Sequence, residues 1–169
     1  MNNTKWIYRS DYTPKKNSLS LDKDIINILY NRGITEEDDI EKFLHCSLDD
    51  ITDPFQMTDV KKSVDRILAA REIGETIWIY GDYDVDGTTS VAMMYLFLKK
   101  HNTNIEYYIP CRYNEGYGIS LTGIDYAKAN NFSLIISLDC GIRAINQIDY
   151  ANENNIDFII CDHHTPSNE

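Results

Sequence analysis

The sequence is poor in basic residues, and this limits the partners that it can hold by charge alone. Its 16 lysines and arginines face 27 aspartates and glutamates, so the formal net charge is -11 at pH 7. Proteins that grip nucleic acid normally present a basic face, and this composition argues against a broad surface of that kind. An acidic chain is compatible with a metal centre built from carboxylates.

Long apolar runs and paired cysteines are missing as well. No stretch reaches transmembrane length, and residues 1–12, MNNTKWIYRSDY, lack the apolar run of a signal peptide. None of the four cysteines forms a CxxC pair. Cys111, Cys140 and Cys161 lie in or beside predicted strands, where a thiol is usually a small buried apolar group. We therefore expect reduced cysteines, a cytoplasmic protein and no membrane partner.

The order of patterns along the chain predicts an α/β fold behind a small helical N-terminal segment. Apolar residues recur at helical spacing up to Gly74, where we place a domain boundary between residues 1–74 and 75–169. Beyond it, four apolar runs (IWIYG, IEYYIP, LIISLD and DFIICD) are typical of strands. Alternation with helices predicts a parallel sheet flanked by helices. The intervening helical patterns cover residues 88–100, 120–130 and 144–154.

Acidic residues and histidines follow three of the four predicted strands. In a parallel sheet, functional groups collect beyond the carboxyl ends of the strands, so these side chains are expected to converge at one edge. The first strand runs into YGDYDVDGTTS, the third ends in SLDC and the fourth in CDHH. The residues placed at this edge are Asp82, Asp84, Asp86, Asp139, Asp162, His163 and His164.

The D-x-D-x-D-G string in the first of these segments also matches two other kinds of site. It resembles the start of an EF-hand calcium loop, but Thr89 and Met93 stand where an apolar residue and a bidentate glutamate are needed. DVDGT resembles the first motif of haloacid dehalogenase-type phosphatases, with Asp84 as nucleophile and Asp86 as general acid. That interpretation leaves Asp82 and the DHH triplet without a role.

A two-metal hydrolase accounts for more of these residues. Carboxylates and imidazole suit Mn²⁺ or Mg²⁺, and Asp84, Asp86, Asp139 and His163 supply most of the ligands for two ions. Such a pair activates a water and neutralises the phosphate under attack. Consecutive side chains of an extended segment point to opposite sides, so His163 and the residue after it are expected to have different tasks. One imidazole would bind metal and the other would face the substrate.

Together these motifs resemble the DHH phosphoesterase superfamily, and within it the RecJ-type exonucleases specific for single-stranded DNA. The matching pieces are YGDYDVDGTTS, SLDCGI and CDHHTP, with IPCRYNEGYGIS between the first two and NRGITEEDDIEKFL and DPFQMTD ahead of them. Other branches of the superfamily tend to begin with a histidine-containing first motif, whereas this chain has the all-aspartate form. The resemblance covers nearly the whole chain.

The resemblance implies a role for each metal-binding position. Asp84 and Asp86 would be metal ligands, Asp139 would bridge two Mn²⁺ or Mg²⁺ ions, and His163 would bind one of them. Asp82 and Asp162 would orient these ligands as buried partners. Gly87 is expected to turn the chain sharply into the following helix.

The resemblance also implies roles towards the substrate. His164 would contact the scissile phosphate or help protonate the leaving oxygen. Arg112 is a candidate phosphate clamp, since a guanidinium suits bidentate phosphate contacts. Gly116 would let the backbone approach a ligand closely. The structural alternatives for the last two are a surface arginine and a plain tight turn.

The implied protein is a metal-dependent 5′-to-3′ exonuclease of single-stranded DNA in repair or recombination. Two alternatives are a DHH phosphodiesterase for short oligonucleotides or cyclic dinucleotides, and a catalytically inactive scaffold. The chain stops at Glu169, just past the third motif. We therefore expect an N-terminal fragment that lacks a fourth motif and a second, more basic domain. That domain would make most contacts to DNA, and repair proteins are further expected partners.

Overall fold

The helices and strands follow the order that the sequence predicts. The computed structural model describes residues 20–101 and 103–167. Residues 1–19, which include MNNTKWIYRSDY and the start of the predicted lead-in, lie outside the described residues, as do residues 102, 168 and 169. The elements are α1 (Lys23–Asn31), α2 (Glu37–Leu44), α3 (Val60–Glu72), β1 (Ile77–Gly81), α4 (Val85–Lys100), β2 (Ile105–Tyr108), α5 (Leu121–Ala129), β3 (Leu134–Leu138), α6 (Ile145–Glu153) and β4 (Asp157–Cys161).

The four strands form one parallel sheet in the order β2-β1-β3-β4. Ile79 in the middle of β1 lies opposite Tyr107 of β2 and Ile136 of β3. The chain leaves β1 for a neighbour on one side and then returns to the other side, so the order reverses between β1 and β3. The predicted parallel sheet with flanking helices is confirmed. In such sheets, the gap beyond the carboxyl ends at this reversal is where ligands bind.

The two faces of the sheet pack against different helices because side chains alternate along each strand. Trp78 and Tyr80 of β1 point into one core, where they meet residues of α5 and α6 such as Ile124 and Ala151. Ile77 and Ile79 point into the other. That second core also contains Ala70 of α3 and Val91 and Leu98 of α4. All residues of β1 and β3 are buried, which explains their near-continuous apolar sequences.

Two compact units divide the chain, the first ending at Asp53 and the second beginning at Pro54. Helix α3 therefore belongs to the same unit as the sheet, and the domain boundary proposed at Gly74 stays a prediction. Of the helices in the described part of the chain, none has the length and apolar character needed to cross a membrane.

The cysteines near the strands differ in burial. Cys140 is fully buried, as expected, whereas Cys111 and Cys161 are exposed. The prediction of buried thiols is wrong for these two. Cys111 lies in the loop beyond β2, and Cys161 is the last residue of the edge strand β4.

Candidate metal centre

The carboxyl ends of β1, β3 and β4 bring acidic residues next to one another. Gly81 pairs with Leu138, and Leu138 pairs with Cys161, so the residue after each strand lies beside its neighbours. The amide of Asp82 donates to the carbonyl of Leu138 at 3.3 Å, and the amide of Asp139 donates to the carbonyl of Cys161 at 2.9 Å. Sheet register alone therefore places two carboxylates at the strand-order reversal.

Asp84 joins them because it caps the helix that follows. Its side chain accepts a hydrogen bond from the amide of Gly87 at 3.0 Å, and α4 begins at Val85, three residues before the predicted start. Gly87 is not the sharp turn that the sequence suggests, since it lies inside the first turn of the helix. A Cβ atom at Gly87 would stand 2.7 Å from the backbone nitrogen of Asp82, so the missing side chain lets the helix pack against the strand end.

Three carboxylates form a cluster at this edge. Asp82, Asp84 and Asp139 each offer an oxygen that lies within 4.8 Å of the others. Asp82 is 2% exposed and its Oδ1 has no hydrogen-bond partner among the described residues. Burial, followed by the charges of Asp84 and Asp139, raises the pKa of Asp82. The side chains around the cluster therefore do not fully neutralise its negative charge.

Asp139 connects this cluster to the histidines. Its backbone is left-handed, with φ 62°, a conformation that aspartate tolerates better than most residues and that often marks functional sites. Its Oδ1 lies 3.1 Å from Nε2 of the exposed His163. Burial raises the pKa of Asp139, and the charge of Asp84 raises it further. Asp139, His163 and His164 also offer ligand atoms within 4.8 Å of one another.

His164 is oriented by a different carboxylate. Its Nδ1 lies 2.7 Å from Oδ1 of Asp162, and its backbone amide donates to the same oxygen at 3.0 Å. The other oxygen of Asp162 accepts from the amide of Ile142 at 3.0 Å, which ties the loop after β3 to the loop after β4. The hydrogen bond to Asp162 raises the pKa of His164. Asp162 thus orients an imidazole, and its partner is His164.

The two histidines do not point to opposite sides, and that expectation is wrong. Their ring centroids are 4.7 Å apart and the ring planes differ by only 35°. The strand ends at Cys161, so alternation no longer applies to the residues after it. The different tasks expected for the two rings agree instead with their different carboxylate partners.

Asp86 lies apart from both clusters. It occupies the first turn of α4, is exposed, and belongs to neither group of closely spaced ligand atoms. It is near enough to raise the pKa of Asp139 by its charge. The structure thus groups Asp82, rather than Asp86, with Asp84 and Asp139. The ligand role of Asp86 and the supporting role of Asp82 stay predictions, and the position of Asp82 beside Asp84 and Asp139 supports a ligand role for it as the alternative.

The candidate substrate residues lie on the loop between β2 and α5. The guanidinium carbon of Arg112 is 5.2 Å from the ring centroid of Tyr83, a cation–π distance. Gly116 has φ 81° and open space around the position of a Cβ, so the left-handed backbone is what requires glycine there. The structure thus favours the tight turn at Gly116, and its substrate contact and that of Arg112 stay predictions.

Two tyrosines at this site were missed by the sequence reasoning. The hydroxyl of Tyr117 lies 3.5 Å from both ring nitrogens of His164. Tyr117 also contacts Tyr83 edge to face, with ring centroids 6.5 Å apart. The NEGYG string marked this loop, but only for its glycines. A tyrosine between two glycines, on a loop facing the motifs, was the available signal.

The donor set fits a hard divalent cation. Carboxylate oxygens with one or two imidazoles suit Mn²⁺ or Mg²⁺, and thiolates are not part of either group of ligand atoms. A cation would satisfy the orphan Oδ1 of Asp82 and offset the repulsion among the three carboxylates. Asp82, Asp84, Asp139 and His163 are the residues best placed to hold it.

Comparisons with known proteins agree with this geometry. The family model described as DHH family, N-terminal domain, matches residues 76–169. The single-stranded-DNA-specific exonuclease RecJ of Bacillus subtilis is 41% identical over 145 residues, which are 86% of this chain and 18% of that protein. The RecJ of Escherichia coli is 33% identical and is matched over 80% of this chain and 23% of its own length. The chain thus spans about a fifth of the length of these relatives.

Solved structures give the same result for the fold. A crystal structure of exonuclease RecJ bound to manganese superposes with a TM-score of 0.63 at 28% identity, covering 67% of this chain and 29% of that one. RecJ of Thermus thermophilus in complex with Mn²⁺ gives a TM-score of 0.61 at 22% identity, over 83% of this chain and 19% of that one. The chain belongs to the DHH family, and over most of its length it is similar to RecJ.

Proposed function

We propose that this chain carries the metal-binding part of a 5′-to-3′ exonuclease that hydrolyses single-stranded DNA. The observation that carries the proposal is the meeting of Asp82, Asp84, Asp139 and His163 at the strand-order reversal. An acidic, oxygen-rich cluster at that position is suited to metal-assisted phosphodiester hydrolysis. The relatives named as single-stranded-DNA-specific exonucleases support this substrate.

The metal is Mn²⁺ or Mg²⁺, and the complete site holds two ions. Asp82, Asp84, Asp139 and His163 would hold them, and Asp86 would complete the set from the first turn of α4. Bound ions would supply an activated water and would neutralise the phosphate under attack. Manganese in the crystal structures of RecJ supports this choice of ion.

The proposed role of His164 is to contact the substrate. Asp162 fixes its ring through Nδ1, which leaves Nε2 to reach the scissile phosphate or the leaving oxygen. The raised pKa of His164 favours the protonated ring, which can donate to an oxygen that gains charge. Arg112 contributes a positive charge at the loop beside this site, where a phosphate of the strand would pass.

The wider setting follows from the substrate. Single-stranded DNA is the main partner, and proteins of DNA repair and recombination are further ones, in the cytoplasm. The net charge of -11 supports a modest contact area for DNA on this chain itself, since phosphate contacts need basic residues.

Hydrolysis of a 5′-labelled 30-mer of single-stranded DNA with Mn²⁺ tests the proposal. We expect release of mononucleotides from a full-length protein that contains this chain, and at least a hundredfold slower release from its Asp139→Asn variant, which loses the charge between the two clusters. Asp149→Asn, on the exposed surface of α6, is the matched control and should cleave like wild type.

Three results would contradict the proposal. Undiminished cleavage by Asp139→Asn would reject the metal-centre mechanism. Faster turnover of dinucleotides or cyclic dinucleotides than of the 30-mer would favour the phosphodiesterase alternative. No heat of Mn²⁺ binding in calorimetry would favour a catalytically inactive scaffold.

A further inference from the structure

Glu115 is a partly buried carboxylate that is held by neutral donors. Its Oε1 accepts from the hydroxyl of Tyr108 at 2.7 Å and from the amide of Cys111 at 2.9 Å. Its Oε2 accepts from the hydroxyl of Ser120 at 2.8 Å. Among the described residues, no lysine, arginine or histidine forms an ion pair with it. Hydrogen bonds from its three donors therefore stabilise the charged carboxylate in place of a counter-ion.

The same network reaches the centre of the sheet. The hydroxyl of Tyr80, in the buried strand β1, accepts from the amide of Ser120 at 3.2 Å and donates to the carbonyl of Gly118 at 3.0 Å. Ser120 also caps α5, since its hydroxyl accepts from the amide of Gly123 at 2.9 Å. Glu115 thus fastens the loop of residues 111–118 to β2 and to the start of α5, and Ser120 and Gly118 join the same network to β1.

This loop carries the groups that border the candidate metal centre. Tyr117 is 58% exposed, so its own packing does little to fix the hydroxyl that lies 3.5 Å from the ring of His164. Arg112 is also exposed and rests on the ring of Tyr83. Both side chains owe their positions to the course of the loop backbone, and the loop backbone is held from inside by Glu115.

We propose that Glu115 is a positioning residue for the reaction, acting through the loop to keep the hydroxyl of Tyr117 against His164. The inference rests on the proposed function, because it assigns His164 the contact to the substrate. Glu115 touches neither the metal ligands nor the substrate. The charge matters because a carboxylate offers two acceptor oxygens to its three donors. A glutamine of the same shape offers only one oxygen and no charge, so at least one of the three donors loses its carboxylate acceptor.

The first test observes the contact directly. Glu115→Gln is compared with Tyr117→Phe and with Glu106→Gln, a matched control on the exposed edge of β2. In carbon–proton NMR spectra, we expect the ring resonances of His164 to move in the same direction in Glu115→Gln and Tyr117→Phe. The amide of Cys111, which donates to Glu115, should exchange with solvent about tenfold faster in Glu115→Gln. Glu106→Gln should leave both at wild-type values.

The second test follows the reaction. In the full-length protein, with the single-stranded 30-mer and Mn²⁺, Glu115→Gln should lower kcat about tenfold, while the affinity for Mn²⁺ in calorimetry stays at the wild-type value. Wild-type His164 resonances and wild-type kcat in Glu115→Gln would overturn the inference. A full-length wild-type protein that cleaves no DNA would instead reject the proposed function. In that case the His164 resonances still decide whether Glu115 positions Tyr117.

Discussion

The carboxylates at the two ends of the sheet differ in their partners and in the direction of their pKa shifts. At the amino edge, formed by Arg66, Glu75, Ser133 and Asp157, one guanidinium serves two acids. Arg66 binds Glu75 bidentately at 2.7 and 2.8 Å and Asp157 at 2.6 Å, and Ser133 donates to Glu75. The hydrogen bond to Arg66 lowers the pKa of Glu75. Acids at this edge are fully paired within the protein.

At the carboxyl edge, formed by Asp82, Asp84, Asp139 and His163, burial and mutual repulsion raise the pKa values of Asp82 and Asp139. An exposed imidazole, that of His163, lies 3.1 Å from Asp139 there, and no guanidinium forms an ion pair with these carboxylates among the described residues. The difference shows how a carboxylate that stabilises the fold can be distinguished from one that is available to bind a ligand. The first has a guanidinium in place, and the second has an unsatisfied oxygen.

Removing the cation of the amino edge should have the largest effect. Arg66→Met leaves the half-buried Glu75 without its partner, and we expect the free energy of unfolding to fall by about 3 kcal/mol. Arg66 and Glu75 are only 27% and 11% exposed, so water replaces the lost pair poorly. Denaturant unfolding measures the change. Arg71→Met, on the exposed surface of the same helix, is the control and should change stability by less than about 0.5 kcal/mol. Equal effects of the two substitutions would remove the contrast between the edges.

Adding a cation at the carboxyl edge should have a slightly smaller effect of opposite sign. Mn²⁺ at a hundred times its Kd should stabilise the folded chain by about 2.7 kcal/mol, because it binds the folded state. Thermal unfolding with Mn²⁺ and with a chelator measures the gain. Asp139→Asn should lose most of it and Asp149→Asn should keep it. A gain that survives in Asp139→Asn would place the ion elsewhere.

Gly87→Ala tests the close approach of α4 to the strand end. The new methyl group would stand 2.7 Å from two backbone atoms of Asp82, so either the helix or the strand end has to move. We expect a loss of about 2 kcal/mol in the free energy of unfolding, with weaker Mn²⁺ binding. Gly116→Ala is the comparison for backbone strain, since it has a positive φ but open space around it. Unchanged Mn²⁺ affinity in Gly87→Ala would show that the approach is not needed for the site.

Acid should weaken the amino edge, and this is the smallest effect expected. The pKa of Glu75 is lowered in the folded chain, so its contribution is complete above the usual pKa of a glutamate and is lost as pH falls through the lowered value. Chemical unfolding at a series of pH values between 6 and 2 should show this loss. In Arg66→Met, the part of the slope that Glu75 supplies should disappear. The same slope in both proteins would mean that Glu75 is not the group responsible.

The sheet could be predicted from the sequence because its signals are local. Ile77–Gly81 is the IWIYG run residue for residue, since a buried parallel strand has to be apolar throughout. The start of α4 was predicted three residues late. There the deciding interaction is the capping bond from Asp84 to Gly87, and nothing in the apolar spacing reports it.

The site could be predicted only to the level of its segments. The strand ends were located correctly, but the sequence alone does not distinguish the alternating aspartates Asp82, Asp84 and Asp86 from one another. The difference between Asp82 and Asp86 appears only once β1 ends and α4 begins between them. The hydrogen bonds from Arg66 to Asp157 and from Tyr108 and Ser120 to Glu115 depend on the folded chain. They join residues whose separation along the chain matches neither helix nor strand periodicity, so no sequence pattern predicts them.

The left-handed backbone of Asp139 affects which substitutions can occur at this position during evolution. Residues other than glycine, asparagine and aspartate fit that conformation poorly, so most substitutions there disturb the strand end as well as the charge. Asparagine and glycine are also one nucleotide change away from either aspartate codon. A duplicated gene could therefore lose the carboxylate of Asp139 in a single mutational step and still encode a chain with the same fold.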